Sequence, residues 1–236
     1  MPHKSTVDEI RKRFDGDVER FSNLQTGQSA TIDAPLVMEL ITSSAAVTNP
    51  RASDVLDVGC GAGNYTLKLL SKLPNLNVTL IDLSRPMLDR AVQRIGQATR
   101  GTITPMQGDV REIELGEKRF DVIMAAAVLH HLRSDAEWES VFAKFHRALR
   151  PSGSIWISDL VTHALPAVQD LMWRRYGEYL TQMKDADYRD HVFAYVEAED
   201  TPRPLTYQLE LLRRVGFAQV EALHKNSCFA AFGGRK

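Results

Sequence analysis

The chain has 236 residues, of which 44% are hydrophobic and 25% carry a charged side chain, as is ordinary for a folded globular protein. Its length accommodates one well-buried domain with an elaboration, but not comfortably two domains. The formal net charge of −1 supplies no overall basic field, so composition gives no support for a nucleic acid as a direct partner.

The first fifty residues predict a helical extension. Apolar residues recur at helical spacing over 7–21 and again over 34–46, which indicates two helices. We expect residues 1–50 to form an N-terminal lid and residues 51–236 to form the main domain.

A glycine-rich turn follows the first predicted strand. The apolar run 55–58 leads into a D-x-G-x-G-x-G pattern, and a predicted helix over 65–73 comes next. Such a turn lets a ligand approach the backbone closely. A dinucleotide fingerprint would need its third glycine where Asn64 stands, so the pattern does not favour a nicotinamide cofactor. The residues of the pattern are Asp57, Gly59, Gly61 and Gly63.

Strand and helix patterns alternate after this turn. Helices are predicted over 86–95, with Ser84 as the N-cap, and over 136–149, before a turn at 151–153. This alternation predicts an α/β fold: a Rossmann-like doubly wound sheet in a three-layer α/β/α arrangement. The further strands are predicted over 77–81, 102–106, 120–128 and 154–160.

The pattern changes after residue 160. Residues from about 161 to 205 predict a helical insertion rich in aromatic side chains. This insertion forms either a lid over the substrate or the core of an add-on with a homodimer surface. A helix over 207–215 and a hairpin of strands 217–223 and 227–232, turning at 224–226, complete the prediction.

Two acidic residues follow predicted strands. Asp82 ends the second strand and Asp109 comes directly after the third. Ligands of a doubly wound sheet bind beyond the carboxyl ends of its strands, so both carboxylates are candidates for ligand binding. A carboxylate at Asp82 can accept from both hydroxyls of a ribose, although nicotinamide-binding proteins share this feature.

The order of these motifs resembles the class I S-adenosylmethionine-dependent methyltransferases. The glycine pattern resembles motif I of that family, and residues 120–132 resemble its strand-four segment. The resemblance implies a mostly parallel sheet with a reversed last strand, S-adenosylmethionine as cofactor, S-adenosylhomocysteine as product and a small-molecule methyl acceptor. It also implies that Asp109 accepts from the adenine amino group while the Val110 N–H meets a ring nitrogen. The implied cofactor-binding residues are Asp57, Gly59, Cys60, Gly61, Gly63, Asp82, Leu83, Asp109, Val110 and Ala126.

Two alternatives stay open. The chain also resembles the carboxy-SAM synthase group, which makes a carboxylated cofactor used to modify the tRNA wobble uridine. Ala126 departs from the asparagine of that group, and Arg189 is the nearest candidate for its carboxylate-binding arginine. The other alternative is a module that binds S-adenosylmethionine or S-adenosylhomocysteine without catalysis, although an intact glycine set argues against a disused pocket.

His130 and Asp159 are the candidate catalytic residues. An imidazole titrates near neutral pH, and Asp159 ends the fifth strand at the same edge of the sheet. Neighbouring residues that leave a strand point in different directions, so we expect at most one of His130 and His131 to face the ligand. Both could instead cap or pack beside the following helix. The candidates for binding the acceptor are Trp173, Tyr176 and Arg189.

Other site and compartment signals are weak. Cys60 and Cys228 lie far apart, and the sequence contains no cluster of cysteine, histidine and carboxylate at metal-ligand spacing, so we expect no metal. The first residues lack the apolar core of a signal peptide, and no stretch is apolar enough to span a membrane. We therefore expect a cytoplasmic protein.

Overall fold

The computed structural model describes residues 4–23 and 27–236 and contains one mixed sheet of seven strands in that part of the chain. The strands are β1 (Asp54–Val58), β2 (Asn77–Asp82), β3 (Ile103–Gln107), β4 (Phe120–Ala126), β5 (Leu149–Leu160), β6 (Gln219–Asn226) and β7 (Phe229–Arg235). They lie in the order β3-β2-β1-β4-β5-β7-β6. Strands β1 to β5 pair in parallel, and β7 runs antiparallel to both β5 and β6. The predicted doubly wound sheet with a reversed last strand is confirmed.

Helices cover both faces of this sheet. The described helices are α1 (Val7–Gly16), α2 (Val18–Ser22), α3 (Ala34–Thr48), α4 (Asn64–Leu70), α5 (Arg85–Ile95), α6 (Asp135–Ala148), α7 (Pro166–Met183), α8 (Ala186–Glu199) and α9 (Leu205–Arg214). Side chains alternate along β1, so Leu56 packs with α6 and α9 while Val55 packs with α3, α4 and α5. Two cores therefore form, one on each side, in the predicted three-layer arrangement.

The N-terminal extension differs from the single helix predicted over 7–21. A capping box between Thr6 and Glu9 begins α1, which ends at Gly16, and Asp17 separates it from α2. The broken pair bends over the carboxyl end of the sheet, where both helices contact α5. None of the helices in 4–23 and 27–236 is long and apolar enough to cross a membrane.

Two strands have different bounds from those predicted. The fourth strand ends at Ala126, because Ala127 adopts a left-handed φ of 53° and turns the chain out of the sheet before residue 128. The fifth strand begins at Leu149 and includes the predicted turn at 151–153. A left-handed Ser152, with φ 66°, and a register shift opposite β4 accommodate that segment within the strand.

The final hairpin turns later than predicted. Residues 224–226 belong to β6, and the turn lies at Ser227 and Cys228, where Ser227 has a φ of 50°. Asp33 accepts hydrogen bonds from the Asn226 amide at 2.8 Å and contacts His224 Nε2 at 2.9 Å. These side-chain partners let the ladder continue through Asn226.

The predicted insertion is helical and joins the N-terminal extension. Its helices α7 and α8 form a third apolar cluster with the start of β7. The guanidinium of Arg13 on α1 donates to both carboxylate oxygens of Glu199 at the end of α8, at 3.0 and 2.7 Å. The extension and the insertion thus meet above the carboxyl ends of the parallel strands.

Candidate functional site

Three adjoining cavities lie at the carboxyl ends of the parallel strands. The glycine-loop cavity, of about 150 Å³, is lined by the turn after β1 and the end of β2. The Asp109 cavity, of about 250 Å³, lies beside it along β2 and β3. The aromatic cavity, of about 510 Å³, lies beneath the extension and the insertion. The first two share Gly59, Asp82, Leu83, Val128 and His131, and the first and third share Phe14, Phe21, Gly27, Gln28, Thr31 and Ala127.

Most of the predicted cofactor residues meet at the first two cavities. The glycine-loop cavity is lined by Asp57, Gly59, Cys60, Gly61, Asp82, Leu83 and Ala126. The Asp109 cavity adds Asp109 and Val110. Gly63 alone of the predicted set lines neither of them.

Glycine is needed at two positions of the turn for different structural reasons. Gly61 has a φ of 49°, and a Cβ there would meet no atom within 4 Å, so its backbone stands open for close approach by a ligand. Gly63 has a φ of 83° and precedes α4, where a Cβ would lie 2.9 Å from Ile95 Cδ1 on α5. Gly63 therefore permits the packing of two helices and is not brought to the ligand cavity.

Asp57 is a buried acid with few partners. Its side chain accepts from the Thr66 hydroxyl at 2.6 Å, and the residue is only 2% exposed. Burial, and after it the charge of nearby Asp82, raise the pKa of Asp57 to about 7. A cationic ligand group in this cavity would stabilise the ionised carboxylate.

Asp82 holds the glycine turn as well as facing both cavities. Its Oδ2 accepts from the Gly61 N–H at 2.8 Å, and its Oδ1 accepts from the Ser84 N–H at 2.9 Å. Burial raises the pKa of Asp82 to about 6 despite these two hydrogen bonds. Each oxygen keeps a further lone pair for a ligand hydroxyl.

Asp109 is held in place by Arg111. The guanidinium contacts both carboxylate oxygens of Asp109, and the Arg111 N–H donates to Oδ1 at 2.9 Å. Burial opposes the charge, but these bonds from Arg111 outweigh it and lower the pKa of Asp109. The carboxylate is therefore a fixed acceptor at the wall of its cavity.

Helices α1, α2 and α8 form the outer wall of the aromatic cavity. Tyr176 lines it and donates its hydroxyl hydrogen to the Ala30 oxygen at 3.0 Å. Arg13, already paired with Glu199, also lies over the Tyr195 ring at 4.3 Å. The aromatic lining residues are Phe14, Phe21, Tyr176, Tyr188, Tyr195 and Phe229.

Two predicted acceptor residues are not brought to this cavity. Trp173 stacks on Phe193 with ring centroids 4.5 Å apart, in the core between the helices of the insertion. Arg189 pairs with Asp190 at 2.8 Å on an outer face of α8. Of the three side chains predicted to bind the acceptor, Tyr176 is the one that lines the aromatic cavity.

His130 lies between two buried carboxylates. Asp159 accepts from the His130 N–H at 3.1 Å, and its other oxygen contacts His130 Nδ1 in a short hydrogen bond. On the opposite side of the ring, Nε2 lies 3.6 Å from Asp200 Oδ1. Burial favours the neutral ring, but the charges of Asp159 and Asp200 outweigh it and raise the pKa of His130 to about 9. The free protein therefore holds His130 as an imidazolium near neutral pH.

Both histidines face cavities, in contrast to the expectation that at most one would. His130 lines the aromatic cavity and His131 lines the other two. The pair does not continue a strand but lies in a 3-10 turn over Leu129–His131, which brings the ring centroids within 4.3 Å. Burial and the charge of His130 lower the pKa of His131.

Sequence reasoning missed Asp200. This residue is the C-cap of α8, is 5% exposed, and places Oδ1 3.2 Å from His131 Nδ1. Burial disfavours the charge of Asp200, but the two histidines, of which His130 has the larger effect, hold the pKa of Asp200 below its usual range. It lies far from the histidine pair in sequence, and no local spacing could have indicated their contact.

Comparison with known proteins supports a methyltransferase domain. Residues 55–153 match the family described as a methyltransferase domain. A demethylmenaquinone methyltransferase from Lactococcus lactis is 25% identical over 171 residues, which cover 71% of this chain and 66% of that protein. The chain spans about half to two thirds of the length of the first curated relatives that it matches.

Solved structures share the fold over nearly the whole chain. A 1,6-didemethyltoxoflavin-N1-methyltransferase from Burkholderia thailandensis, with bound 1,6-didemethyltoxoflavin and S-adenosylhomocysteine, has a TM-score of 0.64 at 21% identity, covering 98% of this chain and 91% of that one. A [4+2]-cyclase has a TM-score of 0.65 at 13% identity, covering 100% and 98% of the two chains. Because a cyclase shares this fold, the activity has to be argued from the site.

Proposed function

We propose that the chain, whose residues 55–153 match a methyltransferase domain, is a class I S-adenosylmethionine-dependent methyltransferase. In this proposal it transfers the methyl group of the cofactor to a small molecule in the aromatic cavity. The observation that carries the proposal is the junction of the glycine-loop cavity with the aromatic cavity. The 510 Å³ of the aromatic cavity falls within the range of about 300–1,000 Å³ typical of small-molecule sites.

The cofactor would lie along the glycine-loop and Asp109 cavities. The ammonium of its methionine moiety would approach Asp57, where a positive charge relieves the cost of a buried carboxylate. Asp82 supplies acceptor oxygens for the ribose hydroxyls, and Asp109 lies along the same wall to accept from the adenine amino group. In this orientation the reacting end of the cofactor faces the aromatic cavity.

The acceptor would be a small organic molecule with an apolar or aromatic body. Six aromatic side chains surround the cavity, and Tyr176 and the pair of Arg13 and Glu199 hold its walls together. The sulfonium methyl is already activated, so the protein contributes mainly alignment and exclusion of water.

We assign His130 a role other than that of a free general base. Held between Asp159 and Asp200, its ring is protonated near neutral pH and can donate a hydrogen bond but not take a proton. Asp159 positions the ring through Nδ1 and fixes the turn through the Leu129 N–H at 2.9 Å. Proton acceptance by His130 would require pH above about 9 or a ligand that changes its surroundings.

The carboxy-SAM synthase alternative loses its candidate carboxylate-binding residue, because Arg189 lies outside the aromatic cavity. Two other arginines line that cavity: Arg13, which pairs with Glu199, and Arg20, which contacts Asp17 at 3.5 Å. The cytoplasmic location and the homodimer stay predictions from the sequence.

Transfer of a deuterated methyl group tests the proposed reaction. The protein would be incubated with S-adenosylmethionine labelled in its methyl group and with small hydroxyl, amine, thiol and carboxylate compounds, and the products analysed by mass spectrometry. The matched variant Val196→Trp narrows the aromatic cavity without touching the other two. It should lose methyl transfer while it keeps the wild-type affinity for S-adenosylhomocysteine. Label that appears on protein or RNA, with none on any small compound, would refute the proposal.

A further inference from the structure

Three polar atoms converge between the cavities without hydrogen-bond partners. His131 Nδ1 and Nε2 and Asp200 Oδ1 are buried, and none of them makes a hydrogen bond of acceptable geometry within the described residues. A buried polar atom without a partner costs about 1–3 kcal/mol, and native structures leave few of them. Such a group of atoms indicates a missing ligand.

We propose that His130, His131 and Asp200 bind a divalent transition-metal ion of the zinc class, at the junction of the aromatic and cofactor cavities. One ligand atom from each residue lies within 4.8 Å of the other two. Imidazole is a borderline donor and carboxylate a hard one, and a set with two imidazoles suits Zn²⁺, Co²⁺ or Fe²⁺ better than Mg²⁺, which prefers oxygen ligands.

The distances between the ligand atoms fit four-coordinate geometry. Asp200 Oδ1 lies 3.2 Å from His131 Nδ1 and 3.6 Å from His130 Nε2. Bonds of about 2.0–2.1 Å at tetrahedral angles place neighbouring ligand atoms about 3.3 Å apart. The third pair, one nitrogen of each histidine, lies within 4.8 Å, so the two rings would approach each other by up to about 1.5 Å to bind one ion.

Asp159 completes an arrangement that is common around metal-bound histidines. It contacts His130 Nδ1, the nitrogen that faces away from Asp200. A carboxylate on the far nitrogen fixes the tautomer and orientation of a ligating ring and raises its basicity. Asp159 is thus a positioning residue, which leaves Nε2 free to bind the ion.

The charge of the site also fits a divalent cation. Asp159 and Asp200 are both buried, with side chains 0% and 3% exposed. Lys4 donates to the main-chain oxygen of Asp200, at 2.6 Å, and Arg13 pairs with Glu199. Binding of the ion would displace to solvent the proton that His130 carries in the free protein, and with both rings then neutral a divalent ion would balance the two carboxylates.

A role for the ion follows if the proposed function holds. His130 and Asp200 line the aromatic cavity, so a fourth coordination position would open toward the acceptor. A zinc-class ion lowers the pKa of a bound hydroxyl, whose proton passes to solvent. The acceptor class favoured by this site is therefore a hydroxyl compound that can coordinate a metal.

Calorimetry of metal binding tests the site without the cofactor or an acceptor. The full chain, freed of metal by a chelator, would be titrated with Zn²⁺ and separately with Mg²⁺. We expect one Zn²⁺ per chain and no measurable Mg²⁺. Asp200→Asn and His131→Asn should each weaken Zn²⁺ binding on the order of 100-fold or more, and Asp159→Asn about 10–100-fold. The control His224→Gln alters a contact with Asp33, and neither residue lines any of the three cavities, so this variant should bind as the wild type does.

Several outcomes would overturn the proposal. If the wild type binds Zn²⁺ no more tightly than Asp200→Asn and His131→Asn do, the ion binds elsewhere on the surface. The same conclusion follows if His224→Gln weakens Zn²⁺ binding as much as the two site variants do. If the site variants fail to fold, the visible spectrum of the Co²⁺-loaded wild type decides. A spectrum like that of hydrated Co²⁺ contradicts the site, and intense four-coordinate bands support it. Metal binding can succeed or fail independently of methyl transfer, so the two proposals are judged separately.

Discussion

Replacing Asp57 by asparagine should stabilise the ligand-free protein and weaken cofactor binding. The pKa of Asp57 is about 7 in the folded protein, against a usual value of 3.8. Below pH 3.8 the carboxyl is neutral in both folded and unfolded chains. As pH rises from 3.8 to 7 the unfolded chain ionises first, so stability is lost, and above pH 7 the penalty is constant.

The rise in the pKa of Asp57 on folding sets the size of the stability gain expected for Asp57→Asn. About three pKa units correspond to an upper limit of about 4 kcal/mol. The new amide oxygen could still accept from the Thr66 hydroxyl, but the new amide hydrogens would need acceptors that the carboxylate did not, at a cost of about 1–3 kcal/mol. The net gain at pH 8 should therefore be about 1–3 kcal/mol, or roughly 2–10 °C in melting temperature for a chain of this size.

Thermal unfolding at pH 5 and pH 8, with and without S-adenosylhomocysteine, measures both consequences. Asp57→Asn should gain more over the wild type at pH 8 than at pH 5, and should show less stabilisation by the ligand. Asp54→Asn is a matched control on the same strand, where Arg150 lies 2.8 Å away and helps hold the pKa of Asp54 low despite partial burial. That control should lose stability at pH 8. An Asp57→Asn gain that is absent or equal at the two pH values would refute the reasoning.

Three further results are expected. Glu199→Gln should lower the free energy of unfolding by about 1–3 kcal/mol, because it leaves Arg13 partly unpaired. It should also speed amide hydrogen exchange in α1 and α8, and unchanged exchange would rule out a coupling between these two helices. In EDTA, the stability of the wild type should fall as pH rises from 6.5 through about 9, because the protonated His130 ring stabilises the folded state and this contribution is lost as the ring deprotonates. An identical dependence of stability on pH in His130→Asn would contradict this. Gly63→Ala should cost about 1–2 kcal/mol through its left-handed φ and its contact with Ile95, whereas a loss of S-adenosylhomocysteine affinity at unchanged stability would return Gly63 to the ligand site.

The sequence predicted the features that depend on local pattern. Burial on both faces makes parallel strands such as β4 continuous apolar runs, and the acids that follow strands mark their carboxyl ends. Asp57, Asp82 and Asp109 could therefore be assigned to one edge of the sheet before any contact was known. The Ser84 cap of α5, which accepts from the Met87 N–H at 3.3 Å, was likewise visible as a local signal.

Features that depend on distant contacts could not be predicted in this way. The hairpin turn lies later in the chain than predicted, because Asp33 of the N-terminal extension accepts a hydrogen bond from Asn226 and contacts His224 in β6. Gly63 serves helix packing, whereas Gly61 is open to a ligand, because a side chain of α5 lies against Gly63 alone. Asp200 reaches the histidines because α8 folds back over the sheet, where the Thr201 N–H donates to the His130 oxygen at 2.7 Å.

Calorimetry with S-adenosylhomocysteine and with NAD⁺ tests most directly whether the glycine-loop and Asp109 cavities hold the adenosyl cofactor. The wild type should bind one S-adenosylhomocysteine and no NAD⁺. Asp82→Ala should weaken that binding by about 10–150-fold, since a charge-assisted hydrogen bond contributes about 1.5–3 kcal/mol, while Asp89→Ala, at an exposed acid of α5, should not. Tight binding of NAD⁺, or an S-adenosylhomocysteine affinity that Asp82→Ala leaves unchanged, would contradict the assignment.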